Sequence, residues 1–199
     1  MLIILCILLV TVCYYFLDRP IADFNYQHHL NHWLILKYFT GVALACFYLS
    51  PFLIIYLVLK KILGYSLTPW QTCLLLASIC TMITYSIKDI LKFVFGRYWP
   101  STWTNNNPSW LSNHAYGFHF FHLGSWYQSF PSGHTTIIVT FMSVIGLQYP
   151  KLRLLVFIPC LLVIIGLLAM NYHFLSDIIA GAFLGFISAY IAVQYSKTV

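Results

Sequence analysis

The sequence predicts an all-α polytopic membrane protein, a bundle of six transmembrane helices with a long aromatic outer loop between the third and the fourth. Three observations carry this. First, 61% of the 199 residues are hydrophobic and only 7% are charged, where soluble domains carry about 25% charged residues. Second, the charges are ten Lys or Arg and four Asp or Glu, all four being Asp, and they leave long uncharged runs. Third, six of those runs approach the roughly 20 apolar residues that a helix needs to cross the bilayer core. This composition excludes a disordered chain and a nucleic-acid binder with a basic stripe, so the formal charge of +6 is not read as affinity for nucleic acid.

The first expected span, Leu2 to Leu17, is uncharged. It lacks the basic start and the small-residue cleavage site of a signal peptide, so it is read as a retained span. A short polar stretch from Asp18 to about Trp33 follows, containing His28, His29 and His32. The second span runs from about Thr40 to Leu59 and ends at Lys60-Lys61. Pro69 suits a first helical position and opens the third; helical spacing continues to Phe95, where Gly96 can end the helix. The fourth is Gly133 to Leu147, ended by Tyr149-Pro150. The fifth is Leu154 to Met170 and the sixth Leu175 to Val193. All 199 residues form a single membrane domain.

Basic residues choose the orientation. Lys60, Lys61, Lys151, Arg153 and Lys197 fall on one side of the expected membrane, and Arg19, Lys37 and Arg97 on the other. This places both termini in the cytoplasm and the long loop outside. The loop, Arg97 to Pro131, has one charge and holds Trp99, Trp103, Trp110 and Trp126. It is expected to lie on the lipid surface and partly cap the bundle. The six cysteines all fall inside expected spans without CxxC spacing and read as small buried residues. His114, His119 and His122 have no Cys, Asp or Glu beside them, so no metal site is expected there. Asn107-Pro108-Ser109 is not a glycosylation acceptor, because proline stands in the middle. A compact chain without acceptors suits a bacterial inner membrane.

Charges near membrane depth are costly and tend to mark function. Three polar clusters meet at one expected membrane face. The first, at the end of span three, is Lys88, Asp89, Lys92 and Arg97, with Lys88 and Lys92 on one helix face. The second is Pro131-Ser132-Gly133-His134 at the start of span four, where a helix N-terminus offers N–H groups to an anion and Gly133 allows close approach. The third runs from Asn171 to Asp177, with His173 and Asp177 four apart. A carboxylate there can accept the N–H of one imidazole nitrogen and leave the other as nucleophile or base. Together these describe a phosphate site in which one histidine attacks phosphorus and another protonates the leaving oxygen.

These motifs resemble the type 2 phosphatidic acid phosphatase superfamily of integral membrane lipid phosphatases, whose pattern is K-x6-R-P, then P-S-G-H, then S-R-x5-H-x3-D. Pro131 to His134 match the second motif, and His173 and Asp177 the end of the third. The resemblance implies a metal-independent, cofactor-free mechanism. In it His173 forms a phosphohistidine, Asp177 orients His173, and His134 protonates the leaving group and then helps to activate water. Lys92, Ser132 and the Gly133 N–H hold the phosphoryl oxygens. Two departures stand out: Trp99 takes the place of the first-motif arginine, and Gly166-Leu167 replace Ser-Arg. Arg97 is expected to substitute as a phosphate ligand, with Asn171 and Lys88 as auxiliary donors.

The expected function is hydrolysis of a lipid phosphate or pyrophosphate monoester at the outer face, with the aromatic loop favouring an amphiphilic phosphorylated lipid. Two alternatives stay open: phosphoryl transfer to a lipid acceptor through the same phosphohistidine, and a degenerate member that only binds lipid. Vanadium haloperoxidases share the motif logic, but six spans and the missing arginines speak against that activity.

Overall fold

The computed structural model describes residues 1–103 and 106–198. Among them the regular structure is helical, with isolated β-bridges only. Six helices build the body. Helix α1 spans Leu2–Gln27, α2 Leu34–Ile62, α3 Pro69–Phe95, α4 Gly133–Gln148, α5 Arg153–Ala169 and α6 Leu175–Ser196.

Helix α1 corrects one expectation. The chain does not leave the helix at Asp18; it stays helical to Gln27 through a π turn at Cys13–Leu17. Pro20 has no N–H to give to the ladder, and a π turn just ahead of it loosens the hydrogen-bond register. The polar half of α1 is thereby kept against the bundle, with Asp18, Ala22 and Asn25 buried.

Helix α2 runs well beyond the expected 40–59 at both ends and contains Pro51. Helix α3 is opened by a capping box, Thr68 with Gln71, and by Pro69 at the first helical position. Among the described residues, five helices are long and apolar enough to cross a membrane. The sixth, α4, has 16 residues, about 24 Å of helix. It lies among α2, α3, α5 and α6, which bury nine of its residues.

Packing of α4 on α6 sets the geometry of one end. A Cβ at Gly181 would stand 2.6 Å from the Ser132 carbonyl oxygen, and one at Gly185 2.8 Å from that of Thr136. Two glycines one turn apart thus let the backbones touch, as small residues do between membrane helices. Thr136 Oγ1 donates to the Ser132 carbonyl at 2.8 Å and reaches the Gly181 carbonyl at 3.3 Å. Below this contact, Ala43, Ile137, Ile138, Val163, Leu167 and Ile178 form one apolar cluster. Leu167 stands where the resembled pattern has arginine, and it is fully buried there.

The described residues of segment 96–132 are largely irregular but tied down. Gly96 has φ +44°, and a Cβ there would meet the His119 carbonyl oxygen at 2.0 Å, so only glycine fits this turn. Arg97 N–H donates to the Tyr127 carbonyl at 2.7 Å, and Ser129 N–H to the Arg97 carbonyl at 3.1 Å. Trp110, in a one-turn helix, donates its indole N–H to Asp23 of α1 at 2.7 Å. Phe120, Phe121 and Leu123 stand exposed.

Candidate active site

Helix directions bring the end of α3 and the starts of α4 and α6 to one end of the bundle. Lys60, Lys61, Lys151 and Arg153 lie at the opposite end, where α2 finishes and α5 begins. A cavity of about 480 Å³ opens at the first end. Its lining includes Lys88, Asp89 and Lys92 of α3, Gly133 and His134 of α4, and His173 from the turn before α6, with Trp99, Ser125 and Gln128 from the loop. Apolar Leu44 and Ile137 complete part of the wall.

The two imidazoles face one another with ring centroids 6.5 Å apart. His173 is held from behind. Its Nδ1 lies 3.6 Å from Asp177 Oδ2 and 3.5 Å from Ser129 Oγ, and the Ser129 hydroxyl donates to the same carboxylate oxygen at 2.6 Å. Phe174 N–H also donates to Asp177 Oδ2, at 2.9 Å. With Nδ1 turned toward Asp177 and Ser129, Nε2 is the nitrogen left for the cavity. Burial pushes the His173 pKa below the ordinary 6.5; Asp177 acts in the opposite sense, and Lys92 adds to the depression.

The lysines are placed by aromatic faces and carbonyls. Lys92 Nζ donates to the Gln128 carbonyl and lies 5.3 Å from the Trp99 ring centre. Lys88 pairs with Asp89 and sits 3.6 Å over Tyr85. A Cβ at Gly133 would come within 3.3 Å of Lys88 Cδ and 3.7 Å of its Nζ, so glycine lets this lysine lie across the start of α4. The Trp99 ring stands 5.2 Å from His173, and its indole N–H is used by the Ser125 carbonyl.

Three residues expected to bind phosphate have other partners. Ser132 caps α4, its hydroxyl accepting from Thr135 N–H at 3.4 Å and from Thr135 Oγ1 at 3.0 Å. Asn171 turns away and donates to the Ala22 carbonyl of α1 at 3.1 Å. Arg97 has 0% exposure and does not line the cavity. One terminal nitrogen donates to Asp177 Oδ1 and to Ser176 Oγ at 2.6 Å; the other donates to Asp18 Oδ2 at 2.7 Å and to Tyr116 at 3.0 Å. The rings of Tyr14, Tyr116, Phe118 and Phe174 surround it at 4.5 to 5.2 Å. Two carboxylates already take the charge and four rings block a swing, so Arg97 is not a direct ligand in this arrangement. Burial alone would lower its pKa, but Asp177 and Asp18 outweigh that and keep it charged.

Sequence reasoning passed over Asp18, Ser129, Ser176 and Tyr116. For Asp18 a signal existed. It is one of four acidic residues and it directly follows sixteen uncharged ones that can only be a membrane helix. For Ser129 and Tyr116 no spacing in the loop points to the site.

Lysines at the end of α3 beside two imidazoles at a helix start are an arrangement that can hold an anion. Comparison with known families makes the class specific. The PAP2 superfamily model matches residues 70–199, and the chain belongs to that superfamily. Among solved structures it is similar to the first transmembrane PAP2-type phosphatidylglycerolphosphate phosphatase from Bacillus subtilis, with 16% identity and a TM-score of 0.55. That similarity, over 98% of this chain and 96% of the other, is one of fold. No curated protein matches the chain. Helix α1 and α2 lie outside the residues matched to the family.

Proposed function

We propose that this protein hydrolyses a lipid phosphate or diphosphate monoester through a phosphohistidine on His173. The observation that carries the reading is the pair of imidazoles facing each other across one cavity with two lysines beside them. His173 Nε2 attacks phosphorus, forming the N–P bond as the ester P–O bond breaks. His134 gives its proton to the leaving oxygen. His134 then takes a proton from water, whose oxygen attacks phosphorus; the N–P bond breaks, and phosphate leaves with its electron pair returned to His173. Charge on the equatorial oxygens is met by Lys92, Lys88 and the Gly133 N–H at the start of α4. Lys88 does the work expected of Arg97, because it lies in the cavity and Arg97 does not.

Leu44 and Ile137 in the cavity wall, and the exposed Phe120, Phe121 and Leu123, support an amphiphilic substrate presented by the bilayer. The basic residues at the opposite end favour a cytoplasmic location for that end, with both termini there and the cavity at the outer face of a bacterial inner membrane.

The test uses the purified full chain in detergent with EDTA, against phosphatidate, phosphatidylglycerol phosphate, a polyprenyl diphosphate and lipid A phosphates. Vanadate-sensitive release of free phosphate from at least one of them, lost in His173→Ala, is expected. No release from any, or a His173→Ala variant that keeps the rate, overturns the reading. Transfer to an added lipid without free phosphate identifies the phosphotransferase instead.

A further inference from the structure

Helix α1 grips the segment that carries His173 at three places. Asn25 Nδ2 donates to the Leu168 carbonyl at 2.7 Å, Asn171 Nδ2 donates to the Ala22 carbonyl at 3.1 Å, and Ser176 N–H donates to Asp18 Oδ1 at 2.9 Å. The third grip is electrostatic as well. Asp18 and Asp177 take opposite ends of the same guanidinium, Arg97, and Ser176 Oγ donates to Asp18 Oδ2. All three charged groups are at most 1% exposed. Tyr116 adds a brace, donating to the Tyr14 carbonyl at 2.6 Å and lying 3.2 Å from Asp18.

Asp177 therefore uses its two oxygens for different tasks. Oδ1 is bound to Arg97, while Oδ2 takes Ser129 and Phe174 N–H and faces His173 Nδ1. Fixing Oδ1 fixes the plane of the carboxylate, and with it the direction from which Oδ2 meets the imidazole. A guanidinium is suited to this, since its planar fork presents donors in set directions.

We propose that Asp18 and Arg97 are positioning residues for the reaction: a carboxylate–guanidinium–carboxylate bridge from α1 orients Asp177 and, through it, His173. The proposal rests on His173 being the nucleophile. It makes phosphoryl chemistry depend on a helix outside the residues that match the family model.

Charge balance supplies a test that mere structural support would not pass. The groups facing His173 are Asp177 from α6, Lys92 from α3, His134 from α4, and Ser129 and Trp99 from the loop, with Asp18 and Arg97 behind Asp177. Asp18→Asn removes a negative charge from the bridge, so His173 is harder to protonate. Arg97→Gln removes the positive charge, so His173 is easier to protonate. The double variant restores the net charge of the wild type. The full chain in detergent is assayed for kcat, KM and the acid limb of kcat/KM, and the His173 imidazole is titrated by 15N NMR, with His173→Gln assigning its signal.

The expected result is a kcat loss of about 10²-fold in Asp18→Asn with little change in KM, as for a misplaced reacting group. The acid limb should move down in Asp18→Asn, up in Arg97→Gln, and back toward the wild type in the double variant. An Asp18→Asn enzyme with wild-type kcat and an unmoved His173 titration overturns the proposal, as do shifts of the same sign in the two single variants. Arg97→Gln leaves two buried carboxylates without a counterion and can fail to fold; Asp18→Asn and the double variant then decide. A wild type that hydrolyses no lipid phosphate would overturn the proposed function alone, because the NMR titration reads the bridge without turnover.

Discussion

Gly181 of α6 lies directly on the backbone of Ser132, the residue that opens α4: a Cβ at position 181 would stand 2.6 Å from the Ser132 carbonyl oxygen. The contact continues one residue chemistry further, since Ser132 N–H donates to the Asp177 carbonyl at 3.0 Å. The start of the helix that carries His134 is therefore docked on the helix that carries Asp177. The spacing of the two imidazoles follows from that docking.

Gly181→Ala should push α4 and α6 apart at the site. Overpacking of this kind costs about 1–3 kcal/mol, and a backbone carbonyl cannot move aside as a side chain can. The expected outcome is a lower thermal midpoint together with a fall in kcat that exceeds the change in KM. Gly41→Ala is the control, because a Cβ there meets nothing within 4 Å.

The acid side of the pH profile should report His173. Burial holds its pKa below 6.5, so the imidazole is protonated at lower pH than an exposed histidine. The acid limb of kcat/KM of the free enzyme should therefore lie below the ordinary histidine range. Asp177, with Ser129, raises this pKa, so Asp177→Asn should move the limb lower still while reducing kcat. A limb at or above 6.5 in the wild type would contradict the assignment.

Lys88 and Lys92 should both matter, and by similar amounts. In the proposed function each makes a charge-assisted bond to a phosphoryl oxygen, worth about 1.5–3 kcal/mol. Lys88→Met and Lys92→Met should each lower kcat/KM by roughly 10- to 150-fold, measured on whichever lipid phosphate proves the best substrate. Met keeps an apolar stem of similar length while removing the ammonium, so the loss would be one of charge. An unaffected Lys88→Met enzyme would remove that residue from the phosphate site.

Much of the helical body was legible in the sequence, because the cost of leaving backbone groups unpaired in lipid forces an apolar run to be helical whatever surrounds it. Pro69 and Gly96 marked the ends of α3 by backbone chemistry alone: one lacks an N–H, and the other adopts φ +44° against the His119 carbonyl. The run Pro131 to His134 marked a helix start, whereas the four-residue spacing of His173 and Asp177 suggested one helix face and the structure instead places His173 in the turn before α6, still within reach of Asp177. These are local properties, readable from a few neighbouring residues.

What folding decided is the use of the scarce charges. Arg97 stands beside the phosphate motifs in sequence, yet its partners are Asp18 and Asp177, 79 and 80 residues away. A buried guanidinium goes to the carboxylates that compensate it and is not free for a ligand. Lys88, in contrast, enters the cavity because Gly133 leaves space for its stem. The sequence by itself determined which segments are apolar helices and offered the candidate residues for phosphate chemistry. Only the tertiary structure decided which cation faces the cavity and which one holds Asp177, since that choice depends on burial and on pairs of charges distant along the chain.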